Sequence, residues 1–208
     1  DAAKMKAPRC EPGVPSVQII NTDVVGLGVH WITVSTINCE PGTIDIFDSA
    51  GGTSIRLSLL KAVIHLMQPP DDVSLVKINF VQVQNQTNNN DCGVFAVANL
   101  ISILNGISPN EIDYEIGEMR DHLKKCITER EFDIFPHTAV DRGDTSSQAC
   151  HMEQLYCSCK MPEDSEPYFE CTDCGLWFHP FHQRSEEHTS ELQSLTNRVC
   201  RRVGEKRG

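Results

Sequence analysis

A thiol at the mouth of an apolar helix, with a side-chain amide six residues before it, is set up for nucleophilic chemistry. The run Gln86-Thr87-Asn88-Asn89-Asn90-Asp91-Cys92-Gly93 holds both groups. The segment that follows, Val94 to Leu104, is apolar on nearly every side and stops before Gly106, which predicts a helix inside a core. Free N–H groups in its first turn carry partial positive charge, which favours thiolate over thiol at Cys92. Asp91, Asn90 and Asn89 are expected to form the tight turn and cap in front of that helix.

A nucleophile also needs a base, a group to orient the base, and a donor for the oxyanion. His30 lies in Gly28 to Ile37, whose alternation and β-branched residues predict a strand. A second strand, Thr43 to Ser49, follows the turn Glu40-Pro41-Gly42 and is expected to pair with the first as an antiparallel hairpin. That pairing sets Asp48, at the end of one strand, beside His30, near the start of the other. The carboxylate then holds the imidazole, and the imidazole takes the proton of Cys92.

Leu57 to Met67 reads as an amphipathic helix halted by Pro69-Pro70, with His65 a packed or surface residue. Val76 to Gln84 reads as a further strand. Ser108-Pro109-Asn110-Glu111 has the form of a capping box with proline at the first helical position. It predicts a second helix carrying Ile112, Ile116, Met119, Leu123 and Ile127 on one face. Cys126 and His122 show no ligand spacing and are expected to be structural. From Thr138 to about Gln154 the chain turns polar, as a linker does.

The motifs His30-Trp31, Phe47-Asp48-Ser49, Gln86 and Asp91-Cys92-Gly93 resemble those of the ubiquitin-like-protease (Ulp/sentrin-specific) cysteine peptidases, over about Pro15 to His137. The resemblance implies an α+β fold of papain-like catalytic logic. Within it Cys92 is the nucleophile, His30 the general base and then acid, and Asp48 the orienting carboxylate. Gln86 and the Cys92 backbone N–H form the oxyanion hole, and Trp31 lines a narrow substrate tunnel. It further implies cleavage after the C-terminal Gly-Gly of a ubiquitin-like (SUMO-like) modifier, with no cofactor for catalysis. Two other readings stay open: a catalytically inactive reader or scaffold, and acyl transfer on the same triad. The family's catalytic domain is longer and the chain begins at Asp1, so it is expected to be an N-terminally incomplete fragment, with a sheet edge left exposed.

A second constellation follows the linker. Cys157-Ser158-Cys159, then Cys171-Thr172-Asp173-Cys174, then His179 and His182 are paired soft and imidazole donors at zinc-ligand spacing. The pattern resembles the first three-quarters of a PHD finger. That resemblance implies a first structural zinc on Cys157, Cys159, His179 and His182, and a second on Cys171 and Cys174 that lacks its other pair. Because structural zinc supplies folding free energy, a finger so truncated is expected to fold poorly. Tyr156 and Trp177 match methyl-lysine cage positions in some readers, and the surrounding carboxylates suit a basic histone tail.

The missing pair has a non-biological explanation. Arg184-Ser185-Glu186-Glu187-His188-Thr189-Ser190-Glu191-Leu192-Gln193-Ser194 resembles the translation of a common short-read sequencing adapter, so residues 184–208 are expected to be an artefactual tail. The organisation expected is therefore a catalytic domain over 1–137, a linker over 138–154, a truncated finger over 155–183 and that tail.

Composition agrees. The formal net charge of −11 over 208 residues makes a poor generic nucleic-acid binder, so no direct nucleic-acid binding is expected. No long apolar run points to a membrane. Ten cysteines, most of them accounted for by catalytic and zinc roles, imply a reducing compartment. A chromatin-reader-like finger favours the nucleus over the cytoplasm.

Overall fold

The β-branched run at 31–35 and the alternating run at 43–47 form the centre of a mixed sheet. A computed structural model of the chain describes residues 9–22, 30–143, 149–155 and 161–162, together with the backbone of Phe169–Glu170, Trp177–Phe178 and Arg201–Arg202. Contacts within the chain divide it into two units, 1–153 and 154–208.

In the first unit β1 (Val17–Asn21) runs antiparallel to β2 (Trp31–Ser35), from Val17 opposite Ser35 to Asn21 opposite Trp31. The pairing continues past the strand ends, where the Thr22 N–H donates to the His30 carbonyl at 2.9 Å and ties down the backbone of that histidine. The expected hairpin forms: β3 (Thr43–Phe47) is antiparallel to β2, with Thr33 opposite Phe47. Gly42 in its turn has φ of +81°, and a Cβ there would meet Val73 Cγ1 at 2.7 Å. Both the left-handed backbone and the lack of space call for glycine.

The strand β4 (Leu75–Val81) lies parallel to β3, from Thr43 opposite Lys77 to Phe47 opposite Val81. Parallel neighbours need a crossover, which α1 (Leu57–Met67) supplies at the predicted bounds. Its apolar face, Leu59, Leu60, Val63, Ile64 and Met67, is buried. A left-handed Gln68 ends the helix by donating its N–H to the Ile64 carbonyl. The five-stranded sheet is completed beside β4 by β7 (Cys150–Gln154), in the order β1-β2-β3-β4-β7. Successive residues Ile32, Thr33, Val34 and Ser35 of β2 are all buried, so both faces of the sheet are covered there.

The apolar helix α2 (Cys92–Leu104) covers one of those faces and packs on β1 and β2. Its other contacts are with α3 (Ile116–Glu129) and a cluster in which Phe95, Tyr114, Met119 and Phe135 are buried. Within that cluster the ring of Tyr114 meets Phe95 and Phe135 edge-on, at centroid distances of 6.0 and 6.3 Å.

Two expectations for this region are corrected. Ser108-Pro109-Asn110-Glu111 does not open the helix. Pro109–Glu111 is a single 3-10 turn, Ser108 makes no cap, and its hydroxyl bonds Asn110 Oδ1 instead. Ile112 then lies in β5 (Ile112–Tyr114), paired antiparallel with β6 (His137–Ala139), and α3 starts only at Ile116. Ile127 is 62% exposed and lies outside the apolar stripe of α3. The other correction concerns the polar stretch 138–154, which contributes to β6 and β7 rather than running free as a linker. Arg142 donates to the carbonyls of Asn110 and Ile112 and pairs with Asp113, fastening the start of that stretch to the 3-10 turn.

Cys126 is buried, and the His122 ring packs tilted against Phe135 at 4.6 Å while its Nε2 meets the Asp133 carbonyl, the structural roles expected of both. His65 is exposed on α1. Among the described residues no helix is long and apolar enough to cross a membrane.

In the second unit Leu155 bridges Pro162 antiparallel. Three two-residue strands, β8 (Phe169–Glu170), β9 (Trp177–Phe178) and β10 (Arg201–Arg202), form a small antiparallel sheet in the order β10-β8-β9. The expected zinc ligands Cys157, Cys159, Cys171, Cys174, His179 and His182, and the cage candidate Tyr156, lie outside the described residues. Trp177 is described by its backbone alone.

Candidate active site

His30 sits one residue before β2 and Asp48 one residue after β3; continued past the strand ends, the hairpin register sets Asp48 opposite Ile32, so that His30 is its diagonal neighbour on the same face. His30 Nε2 lies 2.6 Å from Asp48 Oδ1, with the two side chains 26% and 17% exposed. The carboxylate is itself positioned, because the Ala50 N–H donates to Oδ1 at 2.8 Å. The loop then passes so close that a Cβ on Gly52 would stand 2.5 Å from Asp48 Oδ2. With Nε2 engaged by the carboxylate, Nδ1 is the ring nitrogen left for proton exchange.

Cys92 is the first residue of α2 and is 5% exposed. The helix begins where the Phe95 N–H donates to the Asp91 carbonyl at 2.9 Å. Two contacts join this helix to the strand that follows His30. Thr33 Oγ1 donates to the Ala96 carbonyl at 2.8 Å, fully buried, and the Trp31 indole lies beside Gly93, where an added Cβ would touch its Cδ1 at 3.7 Å. His30 and Cys92 are thus the chain neighbours of two residues in contact, Trp31 and Gly93.

The amide of Gln86 is held at both ends. Its Oε1 accepts from Ser49 Oγ at 2.7 Å, its Nε2 donates to the Asn88 carbonyl, and its backbone N–H donates to the Ser49 carbonyl at 2.8 Å. Since Ser49 follows Asp48 directly, the carboxylate that holds His30 and the residue that holds Gln86 are adjacent in the chain.

Asp91 stands at the cap in front of α2, as its place in the turn predicts, but its side chain is used elsewhere. It occupies the N-cap position with φ of −98° and ψ of −1°, and it makes no side-chain cap bond. Its Oδ2 accepts from Asn88 Nδ2 at 2.5 Å, and its Oδ1 accepts from Arg120 Nε at 2.8 Å and from Arg120 Nη2. The αR backbone at the cap directs the carboxylate toward these partners and away from the first turn of the helix. The Asn88 bond foremost, and the Arg120 guanidinium after it, hold the Asp91 carboxyl below its usual range despite burial.

Arg120 and Asn88 were not singled out by sequence reasoning. Arg120 lies on α3, and no motif links it to Asp91. The thiol of Cys39, in the turn between β2 and β3, is pushed up to about 12, by burial first and then by the Asp45 carboxylate. It stays protonated and unreactive at neutral pH.

With this geometry in place, comparison with known proteins decides the family. The sequence profile of the Ulp1 protease family, C-terminal catalytic domain, matches residues 16–133. The chain belongs to that family. Its members are cysteine-type peptidases that act on ubiquitin-like modifiers and their conjugates. No curated protein and no solved structure matches this Ulp1-family chain. The matched span runs from just before β1 to just after α3 and contains His30, Asp48, Gln86 and Cys92.

Proposed function

We propose that this Ulp1-family peptidase is a thiol peptidase and isopeptidase that cleaves after the C-terminal Gly-Gly of a SUMO-like modifier. In this reading His30 Nδ1 takes the proton of the Cys92 thiol, and the thiolate attacks the carbonyl carbon of the terminal glycine. Negative charge develops on the carbonyl oxygen, which the Cys92 backbone N–H and the Gln86 carboxamide stabilise. Removing one such donor costs ~2.7–4 kcal/mol in other acyl-transfer enzymes. As the C–N bond breaks, His30 gives its proton to the departing amine and Cys92 keeps the acyl group as a thioester. Water, deprotonated by His30, then attacks the thioester to release a carboxylate and restore the thiol.

The single observation that carries this reading is the 2.6 Å bond from His30 Nε2 to Asp48. It keeps Nδ1 available and stabilises the imidazolium that forms in the first step. The exposed face of Trp31 beside Gly93 supports a role as one wall of a passage for a tail without side chains.

The test is a modifier carrying a C-terminal electrophile, incubated with the full chain. A covalent adduct mapped to Cys92 by mass spectrometry is expected. No adduct with the native chain, or an adduct that survives Cys92→Ala, would overturn the proposal.

For the residues after Gln154, the proposal rests on donor spacing alone. Cys157, Cys159, His179 and His182 would hold one structural zinc, and the finger would present Tyr156 and Trp177 to a histone tail in the nucleus.

A further inference from the structure

The loop between β4 and α2 is exposed from Thr87 to Asn90, yet it carries the group proposed to receive the developing charge. An oxyanion donor contributes only if it is aimed before the reaction begins. What aims the Gln86 amide is traceable bond by bond. Its oxygen end is fixed by Ser49 and its nitrogen end by the Asn88 carbonyl, which uses one of the two amide hydrogens and leaves the other free to donate. The Asn88 carbonyl lies in the exposed loop and is steadied by Asn88's own side chain. That side chain accepts from the Asn90 N–H at 2.8 Å and donates to Asp91 Oδ2. Asp91 in turn is gripped on its other oxygen by Arg120, whose Nη2 also donates to the Asn90 carbonyl at 3.0 Å. The guanidinium is therefore joined to the Gln86 amide by hydrogen bonds to named atoms and, within Asp91 and Asn88, by the covalent frame of each residue, and the last fixed point is a different element, α3.

We propose that Arg120 is a positioning residue for the peptidase reaction, holding Asp91 and through it Asn88 so that the Gln86 amide stands oriented as an oxyanion donor. This rests on the function proposed above, but the coupling from Arg120 to Gln86 is a property of the folded chain and is measurable without turnover. The geometry also specifies arginine. Nε and Nη2 converge on one carboxylate oxygen while Nη2 reaches the Asn90 carbonyl, a fork that the single ammonium of lysine does not reproduce.

The experiment is side-chain amide NMR on the full-length ¹⁵N-labelled chain, with the Gln86 signals assigned by their loss in Gln86→Ala. In the native protein the two Gln86 amide hydrogens are expected to be slow to exchange and to resonate away from the values of a solvent-exposed glutamine side chain. Arg120→Met, which keeps the side-chain stem, and Asp91→Asn, which loosens the same link from its other end, should both shift these signals toward solvent-exposed values. Arg120→Lys should recover them only in part. In kinetics with a modifier C-terminal amide, Arg120→Met should lower kcat on the order of 10-fold, short of the ~10²–10³ lost when a donor is removed outright. KM should be little changed, and Arg120→Met should cost nothing further in a Gln86→Ala background. Gln86 amide signals unmoved in both Arg120→Met and Asp91→Asn would overturn the inference. So would a loss from Arg120→Met that persists undiminished in the Gln86→Ala background. A native chain that turns over no modifier counts against the proposed function, and the amide signals then decide this inference by themselves.

Discussion

At the scale of single residues, His30 and Asp48 form a pair whose geometry makes strong demands. The bond at 2.6 Å and the support of Asp48 by the Ala50 N–H imply that the carboxylate matters as an acceptor more than as a packed group. Asp48→Asn should preserve the fold while lowering kcat by up to ~10⁴-fold, the loss seen when a triad carboxylate becomes an amide. The check is kcat on a modifier C-terminal amide together with an unchanged melting temperature. Gly52 tests the same pair from outside. A methyl group there stands 2.5 Å from Asp48 Oδ2, so Gly52→Ala must displace the carboxylate, and a kcat lowered by about 10- to 100-fold with little change in stability is expected. Asp91 gives a pH prediction. Its folded-state carboxyl is held below the unfolded value, so its stabilising contribution is complete above the unfolded range, near pH 4, and is lost as pH falls through the lowered folded value. Melting temperature followed from pH 5 downward should fall more steeply in the native chain than in Asp91→Asn. Equal slopes would mean that the Asn88 and Arg120 bonds do not favour the ionised form.

At the scale of elements, α2 was legible almost residue for residue because a helix that is apolar on most sides has no alternative placement outside a core. The hairpin was legible too, since alternation and the turn at Glu40-Pro41-Gly42 specify antiparallel neighbours. What the pattern did not disclose was the start of α3. Ser108 to Glu111 has the composition of a capping box, but the apolar residue after it, Ile112, is drawn into β5 by pairing with β6, a segment some 25 residues later. Local propensity lost to a tertiary partner. A contact that bears on the proposed chemistry is likewise between elements: Thr33 on β2 donates to Ala96 on α2, joining the strand beyond His30 to the helix that begins with Cys92. Thr33→Val keeps the shape and removes the bond. It should cost ~1 kcal/mol in urea unfolding, with a drop in kcat greater than that in KM as the two elements lose registry.

At the scale of the whole molecule, the peptidase unit and the residues after Gln154 carry separate predictions. If Cys157, Cys159, His179 and His182 form a site while Cys171 and Cys174 lack their other pair, native mass spectrometry of the full chain prepared with zinc should find at most one tightly held ion per molecule. Two would mean that the second site is completed by residues not assigned to it. The residue types and spacings pointed to a candidate nucleophile, base and orienting carboxylate, and the family resemblance of the motifs implied the role of the amide. Cys92, His30 and Asp48 sit at the edges of elements whose periodicity is local, a helix start, a strand start and a strand end, whereas Gln86 lies in the loop after β4 and was legible only from its six-residue spacing to Cys92. Only the tertiary structure decided that Asp91 turns from its helix to Arg120, that Asn88 steadies Gln86, and that the polar stretch after Phe135 returns as strands. Each of those outcomes depends on a partner distant in the chain, and hydrogen bonds formed across such distances leave no period or spacing in the sequence from which to read them.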